Sequence, residues 1–197
     1  MTEPTPAPRA VDLTLIRDLN QGGGSSSASV SPSGKFVIRS VPSGQTYFSI
    51  NVEEETSRFY IKSITWNEKD LLREPLNIDA GQKVDNVRIV LSTQVAGFTI
   101  RVRKARGEAV TDVPLTLVPA DPARWERREA QLMCVTDRQG KCTVIGAPVE
   151  YLVFILPRGV QESTLLNDEI AEGAATAQRV SLGPGERRTF DIAMRDN

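Results

Sequence analysis

The chain has 197 residues, 40% of them apolar and 25% charged, the composition of an ordinary globular protein. Its 24 Lys and Arg against 25 Asp and Glu leave a net charge of -1, so no overall field draws it toward nucleic acid or an anionic membrane. It contains no histidine, which excludes a Ser-His-Asp triad, a Cys-His dyad, an HExxH site and any His-ligated metal.

Residues 1–10 carry Pro4, Pro6 and Pro8 and lack the apolar stretch of a secretory signal, so they read as a linker or an expression boundary. Strand-like alternation follows at Val11 to Leu15, Lys35 to Arg39, Tyr47 to Val52, Phe59 to Trp66 and Asn86 to Leu91. Turn chemistry is expected between them, at Gly22 to Ser27, Ser31 to Gly34, Pro42 to Gly44 and Ala80-Gly81. No apolar run of about 18 residues exists to cross a membrane as a helix.

The scheme then recurs. Val11-Asp12-Leu13-Thr14-Leu15 matches Val113-Pro114-Leu115-Thr116-Leu117, and Gly34-Lys35-Phe36-Val37-Ile38 matches Gly140-Lys141-Cys142-Thr143-Val144. Pro42 matches Pro148, and Asn86 to Leu91 after Gly81 matches Thr189 to Met194 after Gly185. A repeat of about 100 residues built from short strands has the size of an immunoglobulin-like sandwich. The expected fold is therefore all-β, with two tandem immunoglobulin-like or transthyretin-like antiparallel sandwiches at 11–93 and 94–197. The second copy opens with an additional strand, Gly97 to Arg103, for which the first shows no counterpart. Two readings of that asymmetry stay open: the chain is cut from a longer one, or the strand is donated in trans to complete an open sheet edge. Ser163 to Gln178 departs from the β pattern and reads as a short helix around Leu165, Leu166 and Ile170, with Gly173 as its stop.

Gly97 with its alternating strand, Gly107, Val113-x-Leu115-x-Leu117-x-Pro119, Thr136-Asp137-x-x-Gly140-Lys141, Pro148 and Tyr151 together resemble the carboxypeptidase regulatory-like domain. Gly34-Lys35-Phe36, Pro42-x-Gly44 and Tyr47 repeat that order in the first copy. The resemblance implies a transthyretin-like sandwich of the kind found in bacterial surface and secreted proteins, attached to something else and without catalytic metal ligands of its own. Two departures are Cys142 in place of Phe36 and Pro148-Val149-Glu150 in place of Pro-x-Gly.

Cys134 and Cys142 flank a turn between two strand-like runs, which is hairpin spacing for a disulfide; the alternative is two small apolar residues on adjacent strands. A bridge would place the protein in the periplasm, at the outer membrane or outside the cell. Glu53-Glu54-Glu55 with Asp70, Asp79 and Asp85 offers oxygen ligands to Ca²⁺ but matches no EF-hand, and it reads as a solvated acidic loop. No Tyr-x-x-x-Glu follows Tyr47 or Tyr151 to assist an isopeptide crosslink. No catalytic residue, metal or cofactor is expected. The candidate interaction residues are Trp66 and, in one polar loop, Trp125 with Arg124, Arg127 and Arg128, since Trp and Arg are enriched at binding hot spots. The bland alternative is packing for the indoles and a solvated face for the arginines. The expected role is a structural or spacer module of a larger exported bacterial protein, with other domains of the parent chain or a surface protein as partners. The alternatives are a carbohydrate- or protein-binding module and a subunit that assembles by strand donation.

Overall fold

Alternating apolar residues become strands only where a neighbouring strand offers a hydrogen-bonding ladder, and the two halves of this chain differ in that respect. The structure, a computed structural model, describes residues 10–17, 23–53, 59–127, 130–157 and 165–194. The chain divides into two compact units, Met1–Thr93 and Gln94–Asn197.

The first unit contains β1 (Ala10–Arg17), β2 (Ser25–Ser29), β3 (Gly44–Glu53), β4 (Tyr60–Trp66), β5 (Lys69–Asp70), β6 (Leu76–Ile78) and β7 (Arg88–Ser92). They form one sheet in the order β2-β1-β3-β6 and another in the order β5-β4-β7. Leu13 lies opposite Ile50 and Leu15 opposite Phe48, so the alternation of β1 and β3 is in register. Leu15 and Phe48 from the larger sheet pack with Ile64 from the smaller one, and with Leu71, Leu72, Leu76 and Ile78, to make the core.

In the second unit the strands are β8 (Ala96–Lys104), β9 (Pro114–Pro119), β10 (Leu132–Val135), β11 (Lys141–Gly146), β12 (Glu150–Ile155), β13 (Gln178–Ser181) and β14 (Arg187–Met194), with one helix, α1 (Asn167–Gly173). The sheets run β10-β9-β12-β13 and β11-β8-β14. Strand β8 is central, antiparallel to β11 and parallel to β14. Its inward residues Phe98, Ile100 and Val102 are fully buried against Leu115, Leu117, Tyr151 and Val153 of the facing sheet. On its outward face Thr99 meets the Thr143 hydroxyl at 3.1 Å, and the Arg101 guanidinium forks onto both oxygens of Asp191. The described residues thus make an all-β sandwich in each unit, with four sheets and one short helix.

Three local expectations are corrected. The Gly/Ser-rich stretch read as a turn contains β2, in which Ser25–Ser29 pair with β1 and the Ser29 hydroxyl donates to Asp12 Oδ1 at 2.6 Å. A partner ladder there outweighs the weak strand preference of serine. Lys35 to Arg39 forms no strand. Phe36 and Ile38 still pack on the core, but no described strand pairs with this stretch, whereas β11 of the second unit draws its ladder from β8. The helix is shorter than Ser163 to Gln178, spanning Asn167–Gly173 and stopping at the glycine; residues 163 and 164 lie outside the described residues.

Each unit holds one tryptophan, so a Trp66→Phe background leaves Trp125 as the reporter of the second unit. In that background Ile100→Ala should lower the denaturant-unfolding free energy by about 2–5 kcal/mol, whereas the outward Thr99→Ala should cost about 1 kcal/mol or less.

Candidate functional site

The Thr136 to Gly140 turn carries β10 of one sheet into β11 of the other. Asp137 Oδ1 accepts from the backbone N–H groups of Gln139 at 2.7 Å and Lys141 at 2.9 Å, closing an Asx-type turn. Gly140 sits at φ +71°, and a Cβ there would lie 2.7 Å from the Val102 carbonyl oxygen. The buried Thr136 hydroxyl donates to the Val110 carbonyl at 2.8 Å and accepts from the Val113 N–H at 3.0 Å. Across this turn Cys134 and Cys142 form a disulfide with their Cα atoms 5.9 Å apart. Because β10 and β11 belong to different sheets, the bridge ties the two layers of the sandwich covalently. The N–H donors of Lys141 and then Gln139 hold the Asp137 carboxyl below the usual carboxylate range.

The loop after β9 is built around its own backbone. Asp121 Oδ1 accepts from the Ala123 N–H at 3.2 Å and starts a 3-10 turn, Pro122–Arg124, with Arg124 3.8 Å from the same carboxylate. Trp125 is half-buried, and its indole N–H donates to the Pro119 carbonyl at 2.9 Å. Its ring packs with Val118, Leu152, Leu165 and Ile170, a satellite cluster separate from the main core. Arg127 is buried at 3% exposure and Arg124 is half-buried, whereas Arg128 lies outside the described residues. The structure therefore places Trp125 and Arg124 together in the loop but gives Arg127 no solvent face. Gln131, which sequence reasoning passed over, accepts from the Leu165 N–H at 2.8 Å and donates to the Leu165 carbonyl at 2.9 Å. It thereby fastens the segment before α1 as a strand partner would. Its partner is 34 residues away, so no local pattern marks it.

Trp66, in the first unit, is also half-buried and packs against the core, with its indole N–H on the Asp85 carbonyl at 3.1 Å. Of the acidic residues considered for Ca²⁺, Asp70 accepts from the Leu72 N–H at 2.9 Å and Asp85 lies 3.7 Å from Lys83. The side chains of Glu53, Glu54 and Glu55 lie outside the described residues, among which no three His, Cys, Asp or Glu side chains form a metal-sized group. A groove of about 870 Å³ lies between residues 34–38 with 40–41 and residues 79 with 81–87, floored by Leu15, Phe48, Leu76 and Ile78.

No protein-family model matches the chain, and no curated protein matches it. Among solved structures it is similar to a minor pilin of Streptococcus agalactiae, at 12% identity and TM-score 0.42 over 98% of this chain and 85% of that one. It is similar to a streptococcal ancillary pilin at 11% identity and TM-score 0.36, over 93% of this chain and 61% of that one. For the TIE protein of Bacillus anthracis the figures are 9% identity and TM-score 0.36, over 93% of this chain and 30% of that one. The chain thus spans less than two thirds of the length of the latter two structures.

Reducing the bridge, or replacing both cysteines with alanine, should destabilise the second unit by about 2–3 kcal/mol, the value for so short a closed loop. Calorimetry with and without reductant reads this directly. The depressed Asp137 contributes stability that is present above its unfolded pKa of about 3.9 and is lost as pH falls through its lower folded value. Asp137→Asn should therefore flatten the acid limb of stability below about pH 4, as followed by unfolding midpoints at graded pH.

Proposed function

We propose that this chain is a non-catalytic sandwich module that serves as a structural spacer in a larger exported bacterial protein, of the carboxypeptidase regulatory-like kind. The observation that carries this reading is the disulfide between β10 and β11, which locks the two sheets of one unit together and persists only in an oxidising compartment. The polar side chains that stand out in the second unit are engaged in holding backbone: Thr136 on Val110 and Val113, Gln131 on Leu165, and Asp137 on its own turn. A module that transmits position between neighbouring domains needs such fastening and no reacting group. The two indoles have their N–H groups on backbone carbonyls and their rings against apolar clusters, so nothing in their placement supports sugar stacking.

Chain recovered from the periplasm of an expression host should contain no free thiol by Ellman titration, while chain made in a reducing cytoplasm should contain two. The exported form should bind no member of a glycan panel. Saturable binding of one glycan with Kd under about 100 μM, abolished by Trp125→Ala, would replace the spacer reading with a binding one.

A further inference from the structure

The two layers of the second unit differ in the charge they turn outward. In β8 the buried Phe98, Ile100 and Val102 alternate with Thr99, Arg101 and Arg103, which therefore stand on the outer face of the β11-β8-β14 sheet. Register puts Lys141 of β11 opposite Arg101, and Arg187 of β14 opposite Gly97, on that same face. A Cβ at Gly97 would lie 2.9 Å from Arg187 Cγ, so the aliphatic stem of Arg187 crosses the β8 backbone where no side chain intervenes. One acid, Asp191, shares the outward positions of the three strands, and Arg101 forks onto it. The acids at the margins are engaged as well. Asp137 closes its turn, Glu186 Oε2 accepts from the Gly183 N–H at 3.0 Å, and Glu108 lies 3.6 Å from Lys104. Arg103, Lys141 and Arg187 make no ion pair with a described residue, so the sheet face is positive.

The opposite side of the same unit is acidic. Val118 and Leu152 alternate with the core residues Leu117, Tyr151 and Val153, so they lie on the outer face of the other sheet, and Ile170 of α1 packs on them. Asp168 and Glu172 are each two residues from Ile170, which at 3.6 residues per turn points both almost directly away from the sheet. Both are exposed, neither makes an ion pair with a described residue, and α1 carries no base. Two carboxylates about 6 Å apart on a helix match Lys141, Arg101 and Arg103, neighbours about 5–8 Å apart on a sheet. We infer that the second unit stacks on further copies of itself, the basic face around Lys141, Arg101 and Arg103 of one copy receiving the outer side of α1 of the next. The complementary surfaces lie on opposite sides of one unit, so each contact leaves one of either kind free and the stack propagates instead of closing. The chain's net charge of -1 leaves no general repulsion between copies to oppose this. An anionic polymer reaching from Arg103 to Arg187 would pass beside Asp191, whereas two carboxylates can engage Lys141 and Arg103 and leave that acid aside.

The test is sedimentation velocity on the full, oxidised chain. In about 10 mM salt, where exposed charges act over about 30 Å, the mean mass should rise with concentration up to about 1 mM without levelling at two copies. In about 1 M salt, where that range falls to about 3 Å, the chain should be a monomer. Arg103→Glu with Lys141→Glu should give a monomer in low salt, and so should Asp168→Lys with Glu172→Lys, each keeping the wild-type thermal midpoint. An equimolar mixture of the two variants should associate again, because an acidic helix then meets a basic sheet face and a basic helix an acidic one. If a reversed variant fails to fold, the neutral pairs Arg103→Gln with Lys141→Gln and Asp168→Asn with Glu172→Asn carry the test, each weakening association about tenfold. The inference is overturned by a monomer throughout in low salt, by association that 1 M salt leaves intact, or by a mass that levels at two copies. Variants that associate as the wild type does, or a mixture of reversed variants that stays monomeric, overturn it equally.

Discussion

A backbone N–H or C=O taken out of water without a partner costs about 1–3 kcal/mol, so a strand in a sandwich needs a partner ladder wherever its backbone is not left to water. In the second unit β8 meets that requirement for three strands at once. It pairs with β11 and β14 along nearly its whole length while Phe98, Ile100 and Val102 fill the space between the sheets. The outward pairs Thr99 with Thr143 and Arg101 with Asp191 then depend on that register. In the first unit no described strand pairs with Lys35 to Arg39, which keeps its apolar alternation without a ladder. The apolar pattern and the hydrogen-bond pattern of one segment are thereby separated within a single chain.

The second organising element is the crossing from β10 to β11. One carboxylate, one hydroxyl and one disulfide act there within nine residues, Cys134 to Cys142, each on a different part of the problem. Asp137 fixes the turn, Thr136 satisfies two buried backbone groups, and the bridge joins the layers. The loop that carries Trp125 is fastened in a comparable way, by Asp121, by the indole N–H and by Gln131 reaching to Leu165. Side chains that in isolation resemble chemistry or recognition are occupied with backbone, which is consistent with a module whose task is to hold its shape.

Much of the architecture could be read from residues alone. The alternation in Val11 to Leu15, Phe59 to Trp66 and Gly97 to Arg103 and the hairpin spacing of the cysteines are local patterns, and they correspond to β1, β4, β8 and the disulfide. The helix stop at Gly173 was legible for the same reason. The candidate site was less so. Trp125 and Arg124 share a loop because they are neighbours in sequence, but that Arg127 turns inward and that Gln131 caps a segment 34 residues on are consequences of packing.

What the residues determined by themselves is periodicity: which positions are apolar, how often they recur, where glycine permits a positive φ and where two thiols fall within reach. What only the tertiary structure decided is pairing. Ser25–Ser29 is a strand because β1 lies beside it, and Lys35 to Arg39 is not one because no described strand does. A side chain's preference for burial is written in the residue itself, whereas a backbone hydrogen bond needs a second segment whose arrival no local pattern encodes.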